Sequence, residues 1–276
     1  MKAALIQLNV TDDPARNLAG TVAMIRDAAD QGASFVLTPE VTNCVSTSRT
    51  HQREVLQHEG DDITLAALRD VAREKAIWLL IGSLGLKTDD ADGRFANRSF
   101  MIDPTGKIIA RYDKIHMFDV DIDTTESYRE SAGYRPGEKS VVVETSFGKI
   151  GMSICYDMRF PLLYQALADA GAEILTMPAA FSPVTGAAHW HVLLRARAIE
   201  TGCFVVAPAQ TGEHQSDTNK TRFTYGHSLA VAPWGEVLVD AGEAPGVYLF
   251  EIDMDRLADA RRRVPSLANR RNFEAP

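Results

Sequence analysis

The sequence predicts one α/β domain of mixed sheets covered by helices, and three observations predict it. Short apolar or alternating runs of strand length recur along the chain between stretches of helical spacing. Several neighbouring runs are joined by tight turns, which adds hairpins to the alternation. No linker-like shift of composition divides the 276 residues.

The elements follow in order. Lys2–Val10 (KAALIQLNV) alternates as an opening strand, and DDPARN supplies turn and helix-start residues before the amphipathic run Ala19–Gln31, which Gly32 ends. Ala33–Leu37 is a short apolar strand, with Glu40 just past its end in TPEV. Thr64–Lys75 has helical spacing, and Ala76–Ser83 is a continuous apolar run of the kind buried on both faces. Phe95–Ile102, the turn DPTGK and IIARYDKIHMF form a hairpin whose second strand runs out at Lys114. Residues 119–139 have no period and many turn formers, so an irregular functional loop is expected there. Lys149–Ile154 is a buried strand ending in Cys155, and Pro161 starts a helix six residues later. Ala172–Met177 is a strand, Ala187–Thr201 a helix ended by Gly202, and Cys203–Ala209 another strand. Residues 211–224 read as a polar, mobile loop. HSLAVAP and EVLVDA pair across Trp234 and Gly235, Val247–Ile252 is the last strand and Met254–Arg263 the last helix, before a basic tail without period.

Composition excludes several functions. The formal net charge is −8 without a long basic run, so no nucleic-acid partner is expected. The opening MKAALIQLNV has too short an apolar core for a signal peptide, and no run reaches the roughly 18 apolar residues of a spanning helix. A cytoplasmic protein without a membrane partner is therefore expected. Neither G-x-G-x-x-G nor G-x-x-x-x-G-K-[ST] occurs, so no nucleotide cofactor is expected. Cys44, Cys155 and Cys203 lack C-x-x-C spacing and the histidines lack H-E-x-x-H, so neither a disulfide framework nor a metal centre is indicated.

Glu40, Lys114 and Cys155 all fall at predicted strand ends, where α/β sheets place ligand sites. They suit acyl transfer. Cys155 sits at a strand-to-helix elbow whose free N–H groups favour a thiolate or an oxyanion. Glu40, tuned upward by burial or a neighbouring charge, could take the thiol proton, while Lys114 and the backbone N–H of Tyr156 could hold the oxyanion. Composition and periodicity make this arrangement possible without showing that the groups meet. A cysteine simply packed at a strand end is the competing reading.

LTPEV, RYDKIHMFDV, ICYDMRFP, HWHVLLRARAIETGCFVVAPAQ and YGHSLAVAPWGEV resemble, in order, the signature segments of the nitrilase superfamily of carbon–nitrogen hydrolases, from Met1 to about Asn272. The resemblance implies a four-layer α-β-β-α sandwich, a Glu40, Lys114, Cys155 triad and a covalent acyl-enzyme that water hydrolyses. It implies no cofactor, and a homodimer or higher homo-oligomer formed through helices and the tail 264–276. A second family glutamate, in an E-S pattern a few residues before P-G, falls on Glu130 rather than Glu126.

CYDMRFP, the AHW-x-VLLRARAIET run and YGHS-x-x-V-x-PWG are most similar to the branch of deaminated-glutathione amidases and ω-amidases. That implies a small carboxamide substrate of 2-oxoglutaramyl type, split by water into 2-oxoglutarate and an amine. An acidic substrate needs cationic and polar partners; Arg159 is a candidate, with pairing to Asp157 as its alternative, and Phe181 and Thr185 could line the slot. Leu162 stands where many relatives have glutamate, and the loops at 123–125 and 211–223 also depart from the pattern. Other aliphatic amides or N-carbamoyl amino acids, and a catalytically quiet binding subunit, are the alternatives. His227 is expected to be structural and bonded to backbone, and Cys44 and Cys203 to be buried thiols.

Overall fold

The computed structural model, which describes residues 1–122, 127–218 and 221–274, begins with β1 (Lys2–Gln7), α1 (Pro14–Asp30), β2 (Phe35–Leu37), α2 (Arg49–Val55), α3 (Ile63–Lys75) and β3 (Trp78–Leu86). Two short hairpins follow, β4 (Ala96–Ile102) with β5 (Ile108–Asp113) and β6 (Asp119–Asp121) with β7 (Ser127–Arg129). The second half runs β8 (Val141–Thr145), β9 (Gly148–Met152), α4 (Pro161–Asp169), β10 (Ile174–Thr176), α5 (Pro183–Thr201) and β11 (Phe204–Ala207). It closes with β12 (Thr211–His214), β13 (Arg222–Tyr225), β14 (Leu229–Val231), β15 (Val237–Asp240), β16 (Gly246–Glu251) and α6 (Met254–Arg263).

Two six-stranded mixed sheets result, in the orders β16-β1-β2-β3-β4-β5 and β15-β14-β11-β10-β9-β8. In each, three central strands are parallel (β1, β2, β3 and β9, β10, β11) and the outer ones antiparallel. The period-two alternation of the strands builds the layers. Ala3, Leu5, Phe35, Leu37, Leu80 and Met101 join a core with Met152, Ile174 and Val206 of the second sheet. Their neighbours Ala4, Ile6, Val36, Leu79 and Ile81 face the other way, onto Ile25 of α1 and Leu65 and Leu68 of α3. Leu163 and Leu167 of α4 and Trp190 and Leu194 of α5 pack on the second sheet. The architecture is thus a four-layer α-β-β-α sandwich. Among the described residues no helix is long and apolar enough to cross a membrane.

Two stretches expected to be irregular contain regular structure among their described residues. Residues 211–224 contain the β12–β13 ladder, in register from Thr211 opposite Tyr225 to His214 opposite Arg222. Their polar side chains bond within the protein: His214 is buried between the Val10 carbonyl at 2.6 Å and the Thr224 hydroxyl at 2.7 Å. Polarity here marks internal pairing rather than mobility, and burial lowers the His214 pKa to about 4. Residues 119–139 hold the β6–β7 ladder and a 3₁₀ turn at Glu130–Ala132, tied by Ser131 to Asp119 and Arg129 to Asp121. Residues 123–126 lie outside the described residues. The basic tail lies on its own chain, with Leu267 against the core and Arg270 paired with Asp169.

One glycine lets the sheets meet at the end that matters. A Cβ on Gly82 of β3 would lie 2.0 Å from the Thr38 carbonyl, 2.4 Å from the Pro39 carbonyl and 2.5 Å from Pro178 Cβ. Two of these are backbone and cannot yield. Gly82→Ala is expected to destabilise the protein by about 1–3 kcal/mol in urea denaturation. Gly20→Ala, at a helical position with nothing within 4 Å, should stabilise by about 0.5–1 kcal/mol; equal effects at both sites would refute the packing account.

Candidate active site

Glu40 stands at the end of the first sheet, three residues past β2, on a turn held under strain. Val41 has φ +48°, an unusual conformation for a β-branched residue, and its N–H donates to Ser83 Oγ at 2.8 Å. Lys114 follows β5 directly, and its N–H donates to the Asn97 carbonyl at 3.0 Å. Cys155 comes from the second sheet, at the elbow after β9, also with φ +48°, and its N–H donates to the Pro178 carbonyl at 2.9 Å. Glu130 opens the 3₁₀ turn after β7.

These four side chains converge at the junction of the two sheets. Lys114 Nζ donates to Glu40 Oε1 at 2.9 Å and to both oxygens of Glu130 at 3.0 and 2.8 Å. Glu40 Oε1 also accepts from Asn97 Nδ2 at 2.9 Å, and Oε2 from the Ala180 N–H at 2.8 Å. Cys155 stands close enough to Glu40 for each group to shift the pKa of the other. Glu130 accepts further from the Phe118 N–H at 2.7 Å. All four line one cavity of about 430 Å³.

Burial and charge compete at each group. Burial pushes Glu40 up, but the Lys114 ammonium and its hydrogen bond, with Cys155 beside them, outweigh it and hold the carboxyl below its ordinary value. The upward tuning expected of Glu40 is therefore reversed. Burial works against the Lys114 charge, yet Glu130 and Glu40 raise its pKa well above the usual lysine value. Burial and the Glu40 charge raise the Cys155 thiol well above an ordinary cysteine, and Lys114 does not offset them. The resting thiol is neutral, so the thiolate-stabilising elbow expected from sequence is not what the surroundings provide. The proton has an acceptor at hand in Glu40.

The elbow is braced by Asp157, which sequence reasoning considered only as a partner for Arg159. Its Oδ2 accepts from the Ile154 N–H at 2.9 Å and the Tyr112 hydroxyl at 2.6 Å. Its Oδ1 accepts from the His116 N–H at 3.0 Å and lies 2.7 Å from His116 Nδ1.

Of the expected substrate contacts, Tyr156 and Phe181 line the cavity. Arg159 and Thr185 are not on its wall. Arg159 lies behind it, 5.8 and 5.4 Å over the rings of Tyr156 and Phe181, with Nη1 3.2 Å from His189 Nδ1. It does not pair with Asp157, whose oxygens are already taken. Thr185, in the first turn of α5, turns its hydroxyl back to the Ser182 carbonyl at 3.5 Å. Leu162 is 76% exposed and away from the wall, and Glu126 lies outside the described residues. His227 bonds the Asp240 carboxylate at 2.8 Å rather than backbone, also away from the cavity. Cys44 reaches the cavity edge, but its thiol donates to the Asp12 carbonyl and is pushed up to about 12. Cys203 is buried against the Ala172 carbonyl. Asn97, Ala180, Arg49, Tyr134 and Arg222 are also on the wall; they come from separate elements and carry no local motif.

The carbon-nitrogen hydrolase family profile matches residues 2–262. Over 269 residues, 97% of this chain and 92% of the relative, the sequence is 39% identical to a deaminated glutathione amidase of Yersinia enterocolitica. It is 34% identical to the omega-amidase NIT2 of Mus musculus, over 98% of this chain and 95% of that protein. The crystal structure of the C. elegans NitFhit protein superposes with a TM-score of 0.90 at 35% identity, over 98% of this chain; the chain spans 65% of that protein's length.

The buried charges imply a pH-dependent stability. Glu40, held below its ordinary 4.5, contributes stability that is complete above 4.5 and is lost as the pH falls through its lowered value. Lys114, held above 10.5, contributes stability that is complete below 10.5. Lys114→Met leaves the buried Glu40 and the partly buried Glu130 without their cation and should cost roughly 3–5 kcal/mol at pH 8. In that variant burial of Glu40 is no longer opposed by Lys114 and favours protonation, so the deficit against wild type should shrink from pH 8 to pH 5. Urea denaturation reads it, and a deficit that is constant or grows on acidification contradicts the ion-pair account.

Proposed function

The chain belongs to the carbon-nitrogen hydrolase family, and we propose that its cavity hydrolyses the amide of deaminated glutathione to 2-oxoglutarate and an amine through a thioester on Cys155. The observation that carries this reading is the Cys155 thiol set in one cavity with a buried Glu40 that is itself ion-paired to Lys114. The Cys155 sulfur attacks the amide carbon as the thiol proton passes to Glu40. The oxyanion forms between the Lys114 ammonium and the Tyr156 N–H, each such donor being worth about 10²–10³ in rate. Glu40 then returns its proton to the nitrogen as the C–N bond breaks, and the amine leaves. Glu40 next takes a proton from water, whose oxygen attacks the thioester, and the free acid departs as the thiol is restored. Glu130 keeps Lys114 aimed and charged throughout. Water is the only co-substrate. The likeness to an omega-amidase favours 2-oxoglutaramate as a second substrate, since it carries the same acyl group.

Amine and ammonia release from deaminated glutathione, 2-oxoglutaramate, an N-carbamoyl amino acid and a simple nitrile tests the reading. Deaminated glutathione should be preferred, Cys155→Ala should be inactive yet folded, and Glu40→Gln should lose about 10²–10⁴ in kcat. Activity surviving in Cys155→Ala would refute the nucleophile. Because Glu40 must be ionised and is held below its ordinary value, the acid limb of kcat/KM should have its midpoint below 4.5. A midpoint well above that value would assign the base elsewhere.

A further inference from the structure

Two arginines on the cavity wall form no salt bridge among the described residues, although the charge of Arg222 helps to lower the Glu40 pKa. Lys114 is matched by Glu40 and Glu130, and Arg129 by Asp121. Among the described residues no acidic side chain forms an ion pair with Arg49 or Arg222, which line the same cavity. Each guanidinium is nevertheless fixed. Arg49 donates from Nη1 to Gln52 Oε1 at 2.8 Å and lies 5.0 Å over the Tyr134 ring. Arg222 donates from Nη2 to the Ala180 carbonyl at 2.8 Å and lies 5.6 Å over the Tyr128 ring. Its Nε is buried and has no acceptor among the described residues.

A buried, unsatisfied guanidinium N–H is uncommon in a folded protein, because the group loses water and gains nothing in return. The Nε faces protein, so what the cavity offers a ligand is the remaining charge of the guanidinium, which lines the wall. A planar fork laid on an aromatic ring is pre-organised for the two oxygens of a carboxylate. The chain also makes room for Arg49: a Cβ on Gly133 would lie 2.0 Å from Arg49 Nε.

Arg222 is near enough to the reacting groups for its charge to lower the Glu40 pKa. Ala180 receives Arg222 on its carbonyl and holds Glu40 Oε2 with its N–H at 2.8 Å. Arg222 is thus separated from the reacting groups by one residue of backbone, within reach of a short acyl chain attached to Cys155. Arg49 is anchored instead on Gln52 and Tyr134, whose side chains bond each other at 3.0 Å. Deaminated glutathione carries one carboxylate on the acyl side of the scissile amide and one on the amine side.

Building on the amidase reading above, we propose that Arg222 binds the carboxylate on the acyl side of the substrate and Arg49 the carboxylate on the amine side. The cavity then selects amides flanked by acids. Wild type favours such amides over neutral ones of the same length, and 2-oxoglutaramate, which lacks the amine-side acid, engages Arg222 alone.

The test measures kcat/KM for deaminated glutathione, 2-oxoglutaramate and pentanamide in wild type, Arg222→Gln, Arg222→Lys and Arg49→Gln. In Arg222→Gln the preference for either acid over pentanamide should fall roughly 10- to 100-fold, mostly through KM. Arg222→Lys, which keeps the charge without the fork, should fall less, and it reads the same ratio should Arg222→Gln not fold. Arg49→Gln should lower the ratio of deaminated glutathione to 2-oxoglutaramate by a similar factor. Arg222→Gln lowering all three substrates equally would make Arg222 a positioning residue acting through Ala180 and overturn the proposal. Wild type cleaving pentanamide as well as the acids would also overturn it while leaving the amidase reading intact. Cleavage of none of the three would instead refute the amidase reading itself.

Discussion

A lysine ammonium buried between two carboxylates is the interaction on which the rest of this structure depends. Lys114 is 2% exposed, and an ion of that kind taken out of water is tolerated only with close partners that satisfy its protons. Glu40 and Glu130 supply them from either side. The three groups leave one negative charge, which Asn97, the Ala180 N–H and the Phe118 N–H share out through hydrogen bonds. Every one of these donors comes from a different segment, so the cluster can form only when both sheets are complete and in register. Fold and site are therefore one cooperative unit.

The backbone around the cluster carries corresponding constraints. Val41 and Cys155 are both held in the left-handed region, one beside Glu40 and the other at the nucleophile position itself. Such conformations persist because the surroundings over-determine them. Ser83 and Pro178 hold the two N–H groups, Asp157 ties the elbow to Tyr112 and His116, and Gly82 removes the side chain that would wedge the strand ends apart. The strain is placed where two catalytic candidates must approach each other across a sheet interface.

The electrostatic consequence is a thiol that rests neutral beside an ionised base. Lys114 alone would favour a thiolate, but Glu40 cancels that influence and burial decides the matter. A site of this kind keeps its nucleophile uncharged until an amide carbonyl arrives and offers an oxyanion to balance the ammonium. The same cavity carries positive charge on Arg49 and Arg222, which form no salt bridge among the described residues. Negative charge at the reacting groups and positive charge around them suit a substrate that is neutral in the middle and acidic at its ends.

By itself the sequence determined the fold class, most strand and helix positions and the signature segments that carry Glu40, Lys114 and Cys155, because these depend on local periodicity and on short, contiguous motifs. Met254–Arg263 and the β14–β15 hairpin could be read directly from such patterns. Polar segments could not: α2, β6–β7 and β12–β13 are held by hydrogen bonds between polar side chains that only the folded chain brings together, so their composition imitated loops. Tertiary structure alone decided that Asn97, Ala180 and Arg222 join the site, that Arg159 and Thr185 stand off its wall, and which way each pKa moves. The physical reason is that burial and charge proximity are sums over groups brought together from the ends of two sheets, and no local stretch of sequence contains those sums.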